Sequence, residues 1–481
     1  MKKILLLITL SASIACTAQM PCVDGMAGPY PCENVDLVSV TPLGEIGGGE
    51  NLNDIWGWTD PETGKEYAII GRSNGTAFVD VTDGANPIYI GNLPSAIESN
   101  NLWRDVKVYD HYAVIVSEHT DHGMQIFDLN HLEDVVDAPA EFEADAHYTD
   151  FGKAHNVVVN EETGFAYGVG TSSFNGGLHI VDINDPLNPF LVGGYAEAGY
   201  THDAQVVIYK GPDTEHVGKE IAFACNADIV AIIDCTDKTD CQLISSSSYA
   251  DVQYVHQGWL TEDHRYMLVD DELDELYNGH ALHTHMYDML DLDDPFYMGY
   301  YDHGIFSSDH NQYIKGDFSF QSNYSSGLRI LDVSDVANAN LTLAAYFDIF
   351  PDFDEAGFAG SWSNYPYFES LNVILSTYDA LFVLRPSDFI MVGVEEETAA
   401  APIQIGVSPN PAGDFATLTI AGAKGKISLD IVDVQGGIVR SIDSMPVLGS
   451  QMQLDVSDLQ TGVYILQVRG EVNASARLIK L

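Results

Sequence analysis

Four histidines recur along the chain, His155, His202, His256 and His310, separated by 47, 54 and 54 residues. Gathered on one rim beside carboxylates, their imidazoles would suit a divalent ion, zinc or calcium. Zinc–imidazole bonds are about 2.0–2.1 Å long. Polar side chains at related points extend the group: Arg104, Asp105, Glu118, His122, Asn156, Asp203, Asp271, Glu272 and Asn311. Asp105 and Asp203 are candidate acceptors that would fix histidine tautomers. The competing reading is structural, because side chains in a polar channel also satisfy one another and bound water. Duplication alone would repeat them. Two weaker groups stand in one stretch. His280, His283 and His285 include a pair spaced to share a strand face, and the carboxylates of VDDELDE suit calcium but lack the EF-hand spacing. Arg104, Asp105 and His122 form an acid/base grouping without a nucleophile. The chain has no G-x-S-x-G elbow, H-E-x-x-H, phosphate loop or G-x-G-x-x-G after a strand, so no motif marks an enzyme.

The spacing of the histidines is that of a longer repeat. An apolar run ending in Asp recurs as TAFVD at Asp80, MQIFD at Asp128, LHIVD at Asp182 and VAIID at Asp234. It continues as THMYD at Asp288 and LRILD at Asp332, then as LFVLR with Arg385 in the acidic position. The gaps are 48, 54, 52, 54, 44 and 53 residues, a period of repeat architectures. Within one copy, HNVVVN, FAYGVG, LHIVDI and FLVGGY are four short β-rich runs between Gly, Pro, Asn and Asp turns, the meander of a propeller blade. Each Asp after the third run is expected to cap its own turn. The seventh copy lacks a fourth run, and VDLVSVTPLG from Val35 is expected to supply it and close the ring. The expected fold is all-β: a seven-bladed propeller over 19–393, a linker over 394–404, and a small Ig-like sandwich over 405–481.

Composition narrows the partners. Asp and Glu number 71 against 20 Lys and Arg, a net charge of −51, which repels nucleic acid and anionic lipid. Lys2 and Lys3, the apolar residues 4–10, and small Cys16 and Ala18 before Gln19 read as a signal peptide over 1–18. A lipoprotein reading on Cys16 is the alternative. No later apolar run approaches about 18 residues, so no transmembrane segment is expected. In an oxidising compartment Cys22 with Cys32 and Cys235 with Cys241 would close short loops. Cys225 would be left over, although a Cys225–Cys241 pairing stays open.

Two segments carry a resemblance. Ser408-Pro409-Asn410-Pro411, VDVQGG, LQTGVYILQV and the LIKL ending resemble the C-terminal sorting domain of Bacteroidetes type IX secretion substrates. That resemblance implies an export machinery as partner of 405–481 and an extracellular or outer-surface location. DIWGWTD, WRDVKVY, HGMQIFDL, AHNVVVNEETGFAYGVG, HQGWLTED, DHNQYI and SNYSSGLRILD resemble the choice-of-anchor B family, secreted proteins with LVIVD-like repeats. The family implies fold and location, and no reaction. HALHTHMYD departs from it where relatives tend to show threonine and arginine, so an arginine-dependent contact there is not implied.

Three functions are compatible with these residues: a non-catalytic surface module recognising a glycan, protein or metal, a metal-dependent lactonase- or esterase-like hydrolase, and an inert scaffold.

Overall fold

The computed structural model describes residues 19–353, 355–391, 404–421, 426–433, 437–446, 451–469 and 474–481. The signal-peptide expectation over 1–18 and nearly all of the linker expectation lie outside them. The chain divides into two compact units, Met1–Met391 and Val392–Leu481.

Among the described residues, the first unit holds seven sheets in chain order. The third shows the pattern: Asn156–Asn160, Phe165–Val169, Leu178–Asp182 and Phe190–Tyr195 pair antiparallel as a meander. The others follow it, with first strands at Leu52–Thr59, Arg104–Tyr109, Asp203–Ile208, Val255–Leu260, Asn311–Lys315 and Ser361–Tyr365. The last sheet takes its fourth strand from the beginning of the unit, where Val35–Pro42 pairs antiparallel with Ala380–Pro386. That pairing covers an edge which would otherwise present free N–H and C=O groups.

Consecutive sheets share apolar cores. Ile69 and Phe78 of the first meet Val106, Ile115 and Phe127 of the second, with the two phenylalanine rings 4.7 Å apart. The series returns on itself, since Ile374 and Leu381 of the seventh pack with Ile55 and Ile70 of the first. First strands also touch in order, and Ser361–Tyr365 reaches Leu52–Thr59. This is a β-propeller-like arrangement. It explains the composition of the strands: middle strands face neighbours on both sides and read as continuous apolar runs, whereas first strands border a central channel and carry buried polar residues.

The repeated aspartates do what their position requires. Asp80, Asp128, Asp182, Asp234, Asp288 and Asp332 each accept a backbone N–H two residues on, at 2.9–3.0 Å. A register shift recurs between third and fourth strands, for example at Phe78/Val79, Ile180/Val181 and Ile232/Ile233. Such bulges add twist to the outer strand.

Cys22–Cys32 and Cys235–Cys241 are disulfides, and Cys225 is a buried free thiol. The first disulfide holds a hairpin whose Cys32 pairs with Phe347 of the sixth sheet, while Met20 bridges to Leu37 of the closing strand. The hairpin therefore touches both sheets flanking the closure.

Among the described residues, the second unit contains a three-stranded and a four-stranded sheet. Leu418 and Leu454 of one and Leu429, Ile431, Leu466 and Leu478 of the other share a single core. Gln404 already belongs to its first strand.

Candidate functional site at the channel mouth

The four recurring histidines do come together. Their ring centroids are 4.1 Å apart for His155–His202, 4.2 Å for His202–His256 and 4.5 Å for His256–His310. Trp362 continues the series at 5.1 Å. Each imidazole sits where a first strand starts, so the ring of sheets converts a sequence repeat into a row of neighbours. They line a small open pocket of about 50 Å³ together with Arg104, Asn156, Glu272, Asn311, Tyr324 and Asp54.

Hydrogen bonding sets the tautomers. His202 Nδ1 lies 3.1 Å from the carbonyl of His256, and His310 Nδ1 bonds the carbonyl of Trp362. A carbonyl only accepts, so Nδ1 of His202 and His310 donates and their Nε2 atoms carry lone pairs. His155 differs, with Nδ1 2.9 Å from Glu118 Oε1, and this bond holds the Glu118 carboxyl below its usual range. Burial pushes His256 and His310 down to about 3 and His202 well below the ordinary imidazole value, with the adjacent imidazoles adding to it. Burial thus favours the neutral form of these three rings.

Glu272 lies beside these rings. Its Oε1 accepts from Tyr324 Oη at 2.6 Å and lies 3.9 Å from His310 Nε2. One ligand atom each from His256, Glu272 and His310 falls within 4.8 Å of the others. Two imidazoles and a carboxylate converging on an open pocket can hold a divalent transition metal and leave positions for an incoming ligand.

The other predicted residues divide between the mouth and its supports. Arg104 is buried in the wall, bonded to Ser95 Oγ at 2.5 Å and 3.1 Å from His122 Nε2. That guanidinium and burial hold His122 down at about 3. Asp105 lies deeper and binds no histidine: Oδ2 accepts from Val157 N–H at 2.8 Å and Oδ1 from Lys107 Nζ at 2.6 Å. Asp203 accepts from Ala204 N–H at 2.7 Å. Both follow a mouth residue by one position, and strand alternation turns them away from the imidazoles. Their expected role as tautomer-fixing acceptors falls instead to backbone carbonyls, Glu118 and Asp270. Asn311 bonds Ser363 Oγ at 3.1 Å. Asp271 is fully engaged by Tyr249 Oη and the N–H groups of Gln253 and Tyr254.

Sequence reasoning missed Lys107, and read Asp270 only among the VDDELDE carboxylates rather than beside a histidine. Asp270 Oδ1 lies 3.3 Å from His256 Nδ1, and burial raises its carboxyl well above the usual range. Burial opposes the charge of Lys107, but Asp105, Asp54 and Asp203 outweigh it and hold the ammonium protonated. Its parity with Asp105 in WRDVKVY was the available signal.

Comparison with known families adds the following. Residues 406–480 match the secretion system C-terminal sorting domain, and residues 151–197 match the LVIVD repeat. No curated protein matches. Among solved structures, PorZ, a surface component of the type IX secretion system of Porphyromonas gingivalis, is 11% identical with a TM-score of 0.44, covering 87% of this chain and 58% of its own. The extracellular domain of BT4673 from B. thetaiotaomicron is 13% identical with a TM-score of 0.46, covering 92% and 59%. A Lactobacillus plantarum protein is 12% identical with a TM-score of 0.44, covering 84% and 99%. The chain thus spans less than two thirds of PorZ and of the BT4673 domain. No helix among the described residues is long and apolar enough to cross a membrane. With its sorting domain, its repeat and its disulfides, the chain is a repeat protein with a type IX sorting tail, secreted or displayed at the cell surface.

Proposed function

We propose that this protein is a surface binding module: a seven-bladed propeller of the choice-of-anchor B type, exported with residues 1–18 as signal peptide and 405–481 as an Ig-like sorting domain. Its channel mouth binds a divalent transition metal, and the metal presents open positions to a surface ligand such as a glycan or protein. The observation that carries this reading is the convergence of His256, His310 and Glu272 on one open pocket, with His310 Nδ1 already spent on a backbone carbonyl. Fixed tautomers make a preformed ligand set, which binds without reorganising.

A second reading, hydrolysis at the same ion, draws on Arg104. Its guanidinium lies in the pocket wall where it could face a carbonyl or carboxylate polarised by the metal. Zinc binding to the full chain tests the first reading. Wild type should bind an equivalent that the Glu272→Gln and His256→Ala variants lose without a lower melting temperature. Unchanged stoichiometry would leave the mouth an inert polar channel of a scaffold. Turnover of lactone or ester substrates that vanishes in both variants would favour the hydrolase.

A further inference from the structure

The second cluster lies outside the mouth, in the segment joining the second and third strands of the fifth sheet. That segment runs from Asp271 through the short helix Asp274–Asn278 to the strand His283–Asp288. Asp274 and Glu275 are each only 2% exposed, and His283 7%. One oxygen of each carboxylate is accounted for. Glu275 Oε1 accepts from His283 N–H at 3.2 Å, and Asp274 Oδ2 accepts from His285 Nε2 at 3.2 Å. The other two, Asp274 Oδ1 and Glu275 Oε2, are buried with no partner outside the pair, and the two side chains hydrogen-bond to each other. Two carboxyl groups buried together need a proton or a cation between them.

Two imidazoles face this pair. His280 Nδ1 lies 2.7 Å from the carbonyl of Ala281, so that nitrogen donates. In the neutral ring Nε2 is then a lone pair, and it faces Asp274 Oδ2 at 3.5 Å. A lone pair opposite a carboxylate needs a positive charge between or upon them. His280 stacks on His283 with centroids 4.0 Å apart, and ligand atoms of Asp274, His280 and His283 lie within 4.8 Å of one another. Two ligands bonded at about 2.0–2.1 Å to a tetrahedral ion stand about 3.3 Å apart. The His280–Asp274 separation is close to such an edge. Behind Asp274, His285 takes a bond at Nδ1 from Tyr297 Oη at 2.9 Å and so orients the carboxylate through Nε2.

We infer that Asp274, Glu275, His280 and His283 form a second metal site, closed and structural, for a zinc-like divalent ion. Four nitrogen and oxygen ligands fill a tetrahedron, and two imidazoles select a borderline transition metal over calcium. The ion takes the place of the proton between the two carboxyl groups and ties the helix Asp274–Asn278 to the strand His283–Asp288. It thereby fixes the segment that presents Glu272 to the channel mouth. The site rests on none of the mouth ligands.

The test uses the full chain, zinc as the probe and a competing chelator. His280→Ala, a partly exposed position, and the near-isosteric Glu275→Gln each remove one ligand. Wild type should bind one zinc equivalent more than either variant, or the variants should bind that equivalent at least about 100-fold more weakly. His256→Ala should retain it, and protease cleavage within 272–283 should speed up in zinc-stripped wild type. The inference is overturned if His280→Ala and Glu275→Gln keep wild-type stoichiometry and affinity. It is equally overturned if zinc leaves cleavage of the segment unchanged. Loss of the mouth equivalent alone, with this one intact, would bear on the other site only.

Discussion

Replacing His122 by Gln should flatten the dependence of stability on acid. His122 is fully buried, and burial together with the Arg104 guanidinium lowers it from 6.5 to about 3. The unfolded chain therefore binds a proton near pH 6.5 that the folded chain refuses until about pH 3. Stability tied to this residue is complete above pH 6.5 and is lost as the pH falls. At pH 5 the loss is 1.36 kcal/mol for each of about 1.5 pH units, or about 2 kcal/mol. Glutamine can still accept from Arg104 but does not titrate, so its stability should fall about 2 kcal/mol less between pH 7 and pH 5. Urea unfolding at both pH values, with chelator present, measures the difference. An identical fall in wild type and variant would refute the burial argument, whatever the variant costs at pH 7.

Other consequences follow from the same contacts. Cys22→Ser/Cys32→Ser opens a loop of ten residues at the ring closure and should cost about 2–3 kcal/mol, read as a lower melting temperature. A reductant should lower wild type at least as far, since it also opens Cys235–Cys241. Asp182→Ala removes a turn-capping acceptor on the rim and should cost about 1 kcal/mol in urea unfolding, with metal binding unchanged.

Much of the propeller was legible because each copy repeats its own turn chemistry. The run ending in Asp182, its cap on Asn184 and the strand pairings of 156–195 follow from alternation and turn residues alone. The origin of the last fourth strand was legible for a topological reason, since Ala380–Pro386 needed a partner and residues 35–42 were a strand without a sheet. At the mouth, spacing predicted that four imidazoles would meet, but not which atoms they would use. Bonds from His202 and His310 run to carbonyls of the next sheet, and backbone acceptors leave no trace in residue types. Asp105 and Asp203 were assigned by proximity in sequence, where strand parity was the better guide. His283 was paired with His285 by period two, yet His280 from the preceding loop is the ring that stacks on it, because the short helix folds the segment back.

The most direct measurement is zinc stoichiometry of the full chain by equilibrium dialysis and elemental analysis, for wild type and His256→Ala/His310→Ala. The account predicts that the double variant binds one equivalent fewer than wild type while its circular dichroism is unchanged. Equal stoichiometry in the two proteins would contradict a metal at the channel mouth and leave the histidines as packing for the ring.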